Sequence, residues 1–130
     1  MGETAALNDP EASAAQGRAG VDCGRPIDLV HLARSTLGDR SLEREVLALF
    51  ERQAVILLQR MEGAEPAVLA GLAHTLKGSA RGIGAWRVAA AAEQVEAARH
   101  CDATARNALT TLATHVAEAT GFIRDLLRAH

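Results

Sequence analysis

The feature that most constrains the fold is a three- and four-residue spacing of apolar side chains, repeated in successive segments of the chain. An α-helix turns about 100° per residue, so residues at this spacing lie on one face. The last segment is the most regular, with apolar residues at steps of 3, 4, 3, 4 and 3: Leu109, Leu112, Val116, Ala119, Ile123 and Leu126. Such a seam is typical of helices in antiparallel bundles and coiled coils.

Three earlier segments show the same spacing and predict three more long helices. They span about residues 41–62, 66–83 and 85–100, with glycines at the breaks between them. The apolar stripe predicted for the first of these helices is Leu42, Val46, Leu49, Phe50, Ala54, Leu57 and Met61. The connections are short, so neighbouring helices should run antiparallel.

A shorter apolar pattern precedes these helices. Ile27, Val30 and Leu37 predict a short helix that ends at Gly38. The fold class is therefore expected to be all-α, an antiparallel up-down four-helix bundle with an additional short N-terminal helix. Trp86, the single tryptophan, begins the third long helix and is interpreted as a core residue, with an exposed contact near the histidine at 74 as the alternative.

Length and composition limit the number of domains and the classes of function that the chain can have. The 130 residues suffice for one domain, expected over 25–130, after a flexible N-terminal tail at 1–24 without apolar periodicity. A net charge of −2 and 2% aromatic residues argue against nucleic-acid binding. The apolar runs are too short for a membrane span, and no secretory signal is visible, so we expect a cytoplasmic protein. Cys23 and Cys101 are then expected to be free thiols.

The second long helix carries the candidate site on its outer face. His74 lies about 160° around the helix from both Leu72 and Leu76, so it should point to solvent. Lys77 and Gly78 follow within about one turn. A glycine within a helix costs roughly 1 kcal/mol relative to alanine, and here it would remove a side chain that leans over the imidazole.

The surroundings of His74 are small and basic. Ala70 and Gly71 would let another protein come close, while Arg81 is either a solvated charge or a partner contact. Cations favour a phosphoryl group, and a neutral imidazole is a nucleophile near pH 7. No nucleotide-binding loop, metal-ligand cluster or Ser-His-Asp set accompanies them, so the chain offers a nucleophile without a phosphate source.

These residues resemble a known signature. Ala73-His74-Thr75-Leu76-Lys77-Gly78-Ser79-Ala80, followed by Gly84, is similar to the motif of histidine-containing phosphotransfer (HPt) domains of bacterial two-component phosphorelays. The resemblance covers about residues 25–130. It implies that His74 accepts a phosphoryl group through Nε2, that Lys77 offsets its charge, and that Gly78 leaves room for the partner.

The resemblance also implies the partners. Receiver domains of hybrid histidine kinases and response regulators would exchange phosphate with His74 and would supply the magnesium, so this chain needs no cofactor of its own. We therefore expect a phosphocarrier without kinase activity, which is monomeric by default. Two alternatives stay open: the phosphorylatable N-terminal module of a chemotaxis-type histidine kinase, and a bundle that docks receivers without carrying phosphate.

Overall fold

The computed structural model describes residues 24–98 and 102–129, and within these ranges it contains five helices joined by short turns and no strand. Its helices are α1 (Leu29–Ser35), α2 (Arg40–Met61), α3 (Pro66–Ile83), α4 (Trp86–Ala97) and α5 (Asp102–Arg128). The all-α prediction is confirmed. The predicted tail lies outside the described residues except for Gly24, as do both cysteines and the last residues predicted for the third long helix.

The four longer helices close into a bundle. Each packs against its neighbours in the chain, α2 also packs against α5, and α1 packs on α3. The seam of α5 lies as predicted, since Leu112, Val116, Ala119 and Ile123 are buried. None of the helices in the described ranges is both long and apolar enough to cross a membrane.

The core face of α2 differs from the prediction. Phe50, Ala54, Leu57 and Met61 are buried as expected, and Leu47 joins them. Leu49, predicted to be inside, is instead 58% exposed, and Leu42 is exposed as well. The prediction was wrong because α2 carries two adjacent apolar stripes. Spacing alone does not tell which of them the neighbouring helices cover.

The orientation of α1 also differs from the prediction. Ile27 and Leu32 are buried, whereas Val30 is exposed and Leu37 is 93% exposed. The helix ends at Ser35, before the predicted end at Gly38. A helix of two turns buries only a few side chains, so the apolar spacing is a poor guide to its orientation.

Trp86 holds α1 to the bundle instead of filling the core. Its side chain is at the surface, 37% exposed, so the core interpretation was wrong. The indole Nε1–H donates to Asp28 Oδ2 at 2.9 Å, and its ring meets that of His31 edge-on, with centroids 4.8 Å apart. Asp28 also caps α1 by accepting a bond from the His31 backbone N–H. Trp86 therefore contacts Asp28 and His31 at the α1 end of the bundle, and the alternative, an exposed contact near His74, stays a prediction.

Gly84 makes the second attachment of α1. It ends α3 in the left-handed conformation, with φ 81°, and its carbonyl accepts from the Asp28 backbone N–H at 2.9 Å. A Cβ at this position would lie 2.9 Å from Asp28 Cβ. Only glycine suits both the backbone angle and the close approach. The segment before α1 thus packs against the turn between α3 and α4.

Candidate functional site

His74 lies on the solvent side of α3. Its side chain is 68% exposed, while Ala73 and Leu76, its neighbours on the other side of the helix, are fully buried. The predicted orientation is therefore confirmed. The helix itself forms because its buried positions recur at steps of three and four residues, and because Pro66 starts it without losing a backbone bond.

A carboxylate from the neighbouring helix meets the imidazole. Glu96 of α4 places Oε2 3.0 Å from His74 Nδ1, and its Oε1 accepts a bond from Lys77 Nζ at 2.8 Å. The Lys77 side chain is only 14% exposed, so its ammonium is held against Glu96 rather than extended into solvent. The Lys77 hydrogen bond, with His74 as a second partner, holds the pKa of the Glu96 carboxyl below its ordinary value of 4.5.

Glu96 is the site residue that the sequence analysis missed. Its position in α4 indicated a side chain directed outward or at the flank of that helix. The position in the sequence gives the direction of the Glu96 side chain about the axis of α4, but it does not tell which residue of α3 lies opposite. The available signal was a carboxylate near the contact between α3 and α4. To pair it with His74, one would also need to know the register of the two helices.

A second ion pair joins the same two helices. Arg81 Nη2 lies 3.7 Å from Glu93 Oε1, and both side chains are more than half exposed. Exposed pairs of this kind contribute little, typically about 0–1 kcal/mol. Arg81 therefore faces the predicted side of α3, but its cation already has a carboxylate partner.

Small residues surround the exposed imidazole. Gly71 and Gly78 are exposed, and apart from the adjacent backbone of α3, no atom of the residues that the structure describes would lie within 4 Å of a Cβ built on either of them. Ala70 is half-buried beside them. The predicted small-residue strip is thus present on the side of α3 that carries His74. Packing against the described residues, 24–98 and 102–129, does not account for the absence of a side chain at Gly78.

An apolar groove lies where α1, α2 and α3 meet. Its volume is about 340 Å³, and its walls include Leu42, Leu49 and Gln53 of α2 with Ser79 and Gly82 of α3. Ser79 and Gly82 are five and eight residues beyond His74 in α3. Leu42 and Leu49, which were predicted to lie in the core, therefore supply exposed apolar surface to this groove.

The comparisons with known proteins identify the family and the fold. A family model described as an Hpt domain matches residues 45–128, well over half of the chain. The chain belongs to the Hpt domain family. The match includes His74, Lys77, Gly78 and Glu96, and it begins within α2, so α1 lies outside it. Family membership gives the chain a role in histidine phosphotransfer, in which Hpt domains carry phosphoryl groups and are not kinases.

A solved structure extends the likeness in fold to nearly the whole chain. The crystal structure of a rice protein described as a histidine-containing phosphotransfer protein is 16% identical in sequence and superposes with a TM-score of 0.73. The match covers 92% of this chain and 91% of that chain. At this identity the likeness establishes a shared fold only. A search of the curated proteins found no match.

Proposed function

We propose that this Hpt domain relays a phosphoryl group between receiver-domain aspartates through His74. The observation that carries the proposal is the geometry of the imidazole. It is largely exposed, its Nδ1 is occupied by Glu96, and its Nε2 has no hydrogen-bond partner among residues 24–98 and 102–129. An accessible ring nitrogen with a free lone pair is what attack on a phosphoryl group requires.

The transfer step balances without a further reactant. The Nε2 lone pair forms a bond to phosphorus, and the bond between phosphorus and the aspartyl oxygen breaks, which leaves the receiver's carboxylate free. Attack by a second receiver aspartate reverses these changes. We propose that the receiver supplies the magnesium ion and that Lys77 offsets phosphoryl charge, so this chain contributes the nucleophile and no cofactor.

The partner would dock on the face that surrounds His74. Gly71, Gly78 and the half-buried Ala70 leave room for a closely approaching protein surface. The apolar groove with Leu42 and Leu49 would add contact area along α2, since exposed apolar patches next to polar residues often mark protein interaction sites. Arg81 would contribute charge at the edge. We propose that a cytoplasmic monomer uses this surface to meet receivers of hybrid kinases and of response regulators in turn.

Labelling from a phosphorylated receiver tests this function. Incubation with the full chain should give an acid-labile, base-stable label on the protein, and His74→Gln should abolish it. Label that persists in His74→Gln would contradict the assignment. If several receivers bind but none transfers phosphate, a bundle that docks receivers without carrying phosphate is the better description.

A bulky residue at Gly78 tests the docking face separately from the nucleophile. Gly78→Leu should keep the helix content, because its Cβ points into open space, and should slow transfer from a receiver. Phosphorylation of the same variant by phosphoramidate, which is small enough to pass the leucine, should be much less affected. A marked loss of helicity, or equal slowing with both donors, would contradict this account of Gly78.

A further inference from the structure

A groove on the side of the bundle formed by α1, α2 and α5 contains two arginines and has apolar walls. Its volume is about 570 Å³, and we refer to it as the Arg44 groove, with Arg40 and Arg44 as its cations. The apolar walls are formed by residues of all three helices: Leu29, Leu32 and Ala33 of α1, Leu47 of α2, and Leu126 and Leu127 of α5. Neither α3 nor α4 contributes to its lining, so the groove is separate from the surface around His74.

Arg44 has a buried hydrogen-bond donor that is not used within the described residues. Its Nη2 donates to the Leu127 carbonyl at 2.9 Å, at the end of α5 where backbone carbonyls lack partners within the helix. Its Nη1 is closed off from solvent and has no hydrogen-bond partner in residues 24–98 and 102–129. Buried donors are nearly always paired in folded proteins, because burial removes their bonds to water. An acceptor that reached Nη1 would therefore make a bond that the free protein lacks.

Arg40 adds a second positive charge to the same groove. It is exposed and lies in the first turn of α2, four residues before Arg44. Like charges at this spacing on a helix repel each other, and the N-terminal end of a helix favours anions. Glu43 also lines the groove, but its carboxylate accepts a bond from Thr36 Oγ1 at 3.3 Å. Within the described ranges neither arginine has an ion pair, so the groove favours an anionic ligand.

We propose that the Arg44 groove binds a small amphipathic carboxylate, whose aliphatic chain lies against the apolar walls and whose carboxylate meets Arg44 and Arg40. A planar guanidinium matches a carboxylate with two parallel hydrogen bonds. The walls would remove an aliphatic chain from water, which is favourable. The volume of the groove lies within the range of about 300–1,000 Å³ that is usual for small-molecule sites. A small inorganic anion would leave the walls uncovered, and a hydrocarbon would leave both cations unpaired.

Binding would change the packing of Arg44 and hold α1 more firmly to the bundle. Because Nη1 is closed off in the free protein, the guanidinium has to turn slightly towards the groove when the carboxylate arrives. The ligand would then contact α1, α2 and α5 together. A ligand that binds only the folded protein stabilises it. Amide hydrogen exchange in α1 should therefore slow when the groove is occupied, which gives a second measurement of binding.

Three probes separate the two contacts that the site would make. Decanoate has both the carboxylate and the chain, decanol has the chain alone, and acetate has the carboxylate alone. Added to the full chain below its micelle-forming concentration, decanoate should shift the amide NMR signals of α1, the first turns of α2 and the end of α5. It should also slow amide exchange in α1. Decanol and acetate should each bind at least about tenfold more weakly, because each lacks one of the two contacts.

Substitutions in the groove test the same two contacts. Arg44→Met removes the cation and should weaken decanoate binding about tenfold, the low end for loss of a charge-assisted hydrogen bond. Arg52→Met is the matched control, because Arg52 is an exposed cation of α2 that does not line the groove, and it should bind decanoate like the unmodified protein. Ala33→Leu keeps both cations and fills part of the groove, so it should also weaken binding. This variant remains informative if Arg44→Met unfolds.

Absence of shifts at the groove amides would overturn the proposal, as would equal decanoate affinities of Arg44→Met and Arg52→Met. Equal affinities for decanoate and either decanol or acetate would also overturn it, because one contact would then suffice. An acidic peptide that displaces decanoate and binds the groove more tightly would show that the occupant is a polypeptide segment instead. Binding does not depend on the relay function: decanoate should leave phosphorylation of His74 by phosphoramidate unchanged, and slowing would show that the probe binds at the wrong site.

Discussion

Replacement of Gly84 by alanine should destabilise the domain through two separable effects. At φ 81° the left-handed conformation costs an alanine about 1–2 kcal/mol. Its Cβ would also lie 2.9 Å from Asp28 Cβ and 3.0 Å from the Asp28 carbonyl oxygen, and overpacking of this kind costs roughly 1–3 kcal/mol. Alanine also lowers the conformational entropy of the unfolded chain, which stabilises the folded state by about 0.4–1 kcal/mol. We expect a net loss of about 2–4 kcal/mol.

Two other glycines separate these effects. Gly63 has φ 76° but open space around its Cβ position, so Gly63→Ala should pay the backbone cost alone, about 1 kcal/mol. Gly78 has helical geometry and open space, so Gly78→Ala should stabilise the fold by about 0.5–1 kcal/mol. Urea unfolding followed by circular dichroism gives the three free energies of unfolding, and the Gly84 variant should rank lowest.

The ranking can refute the account of α1. Equal losses for Gly63→Ala and Gly84→Ala would show that the approach of Asp28 adds nothing, and that α1 is not seated on the turn after α3. Destabilisation by Gly78→Ala would contradict the open space around that residue. A domain of this size is typically stable by about 5–15 kcal/mol, so each variant should stay folded enough to measure.

Two further results are expected. Trp86→Phe keeps an aromatic ring but removes the 2.9 Å bond to Asp28. Loss of this bond should lower the free energy of unfolding by about 0.5–1.5 kcal/mol and speed amide exchange in α1 more than in α5. An equal acceleration in both helices would contradict the attachment. The folded pKa of Glu96 is lowered, so its stabilising contribution is complete above the ordinary value of 4.5 and is lost as the pH falls through the folded value. The stability difference between the unmodified protein and Glu96→Gln should therefore shrink in acid, and a difference that grows there would refute the sign.

Much of the site could be predicted because it is a property of one helix. The apolar spacing of α3 fixes which residues are buried, and the orientation of His74, Lys77 and Gly78 follows from about 100° per residue without reference to any other element. The seam of α5 was predicted correctly for the same reason. Gly84 was part of the recognised motif, but its contact with Asp28 could not be seen from the motif alone.

What the sequence by itself determined is therefore the set of helices, the all-α class and the outward histidine, since these depend on local periodicity. The tertiary structure alone decided which stripe of α2 is covered, where Trp86 lies, and that Glu96 meets His74 and Lys77. The physical reason is that periodicity gives each side chain an angle about its own helix axis. The rotation and register of one helix against the next depend on how all the side chains pack together.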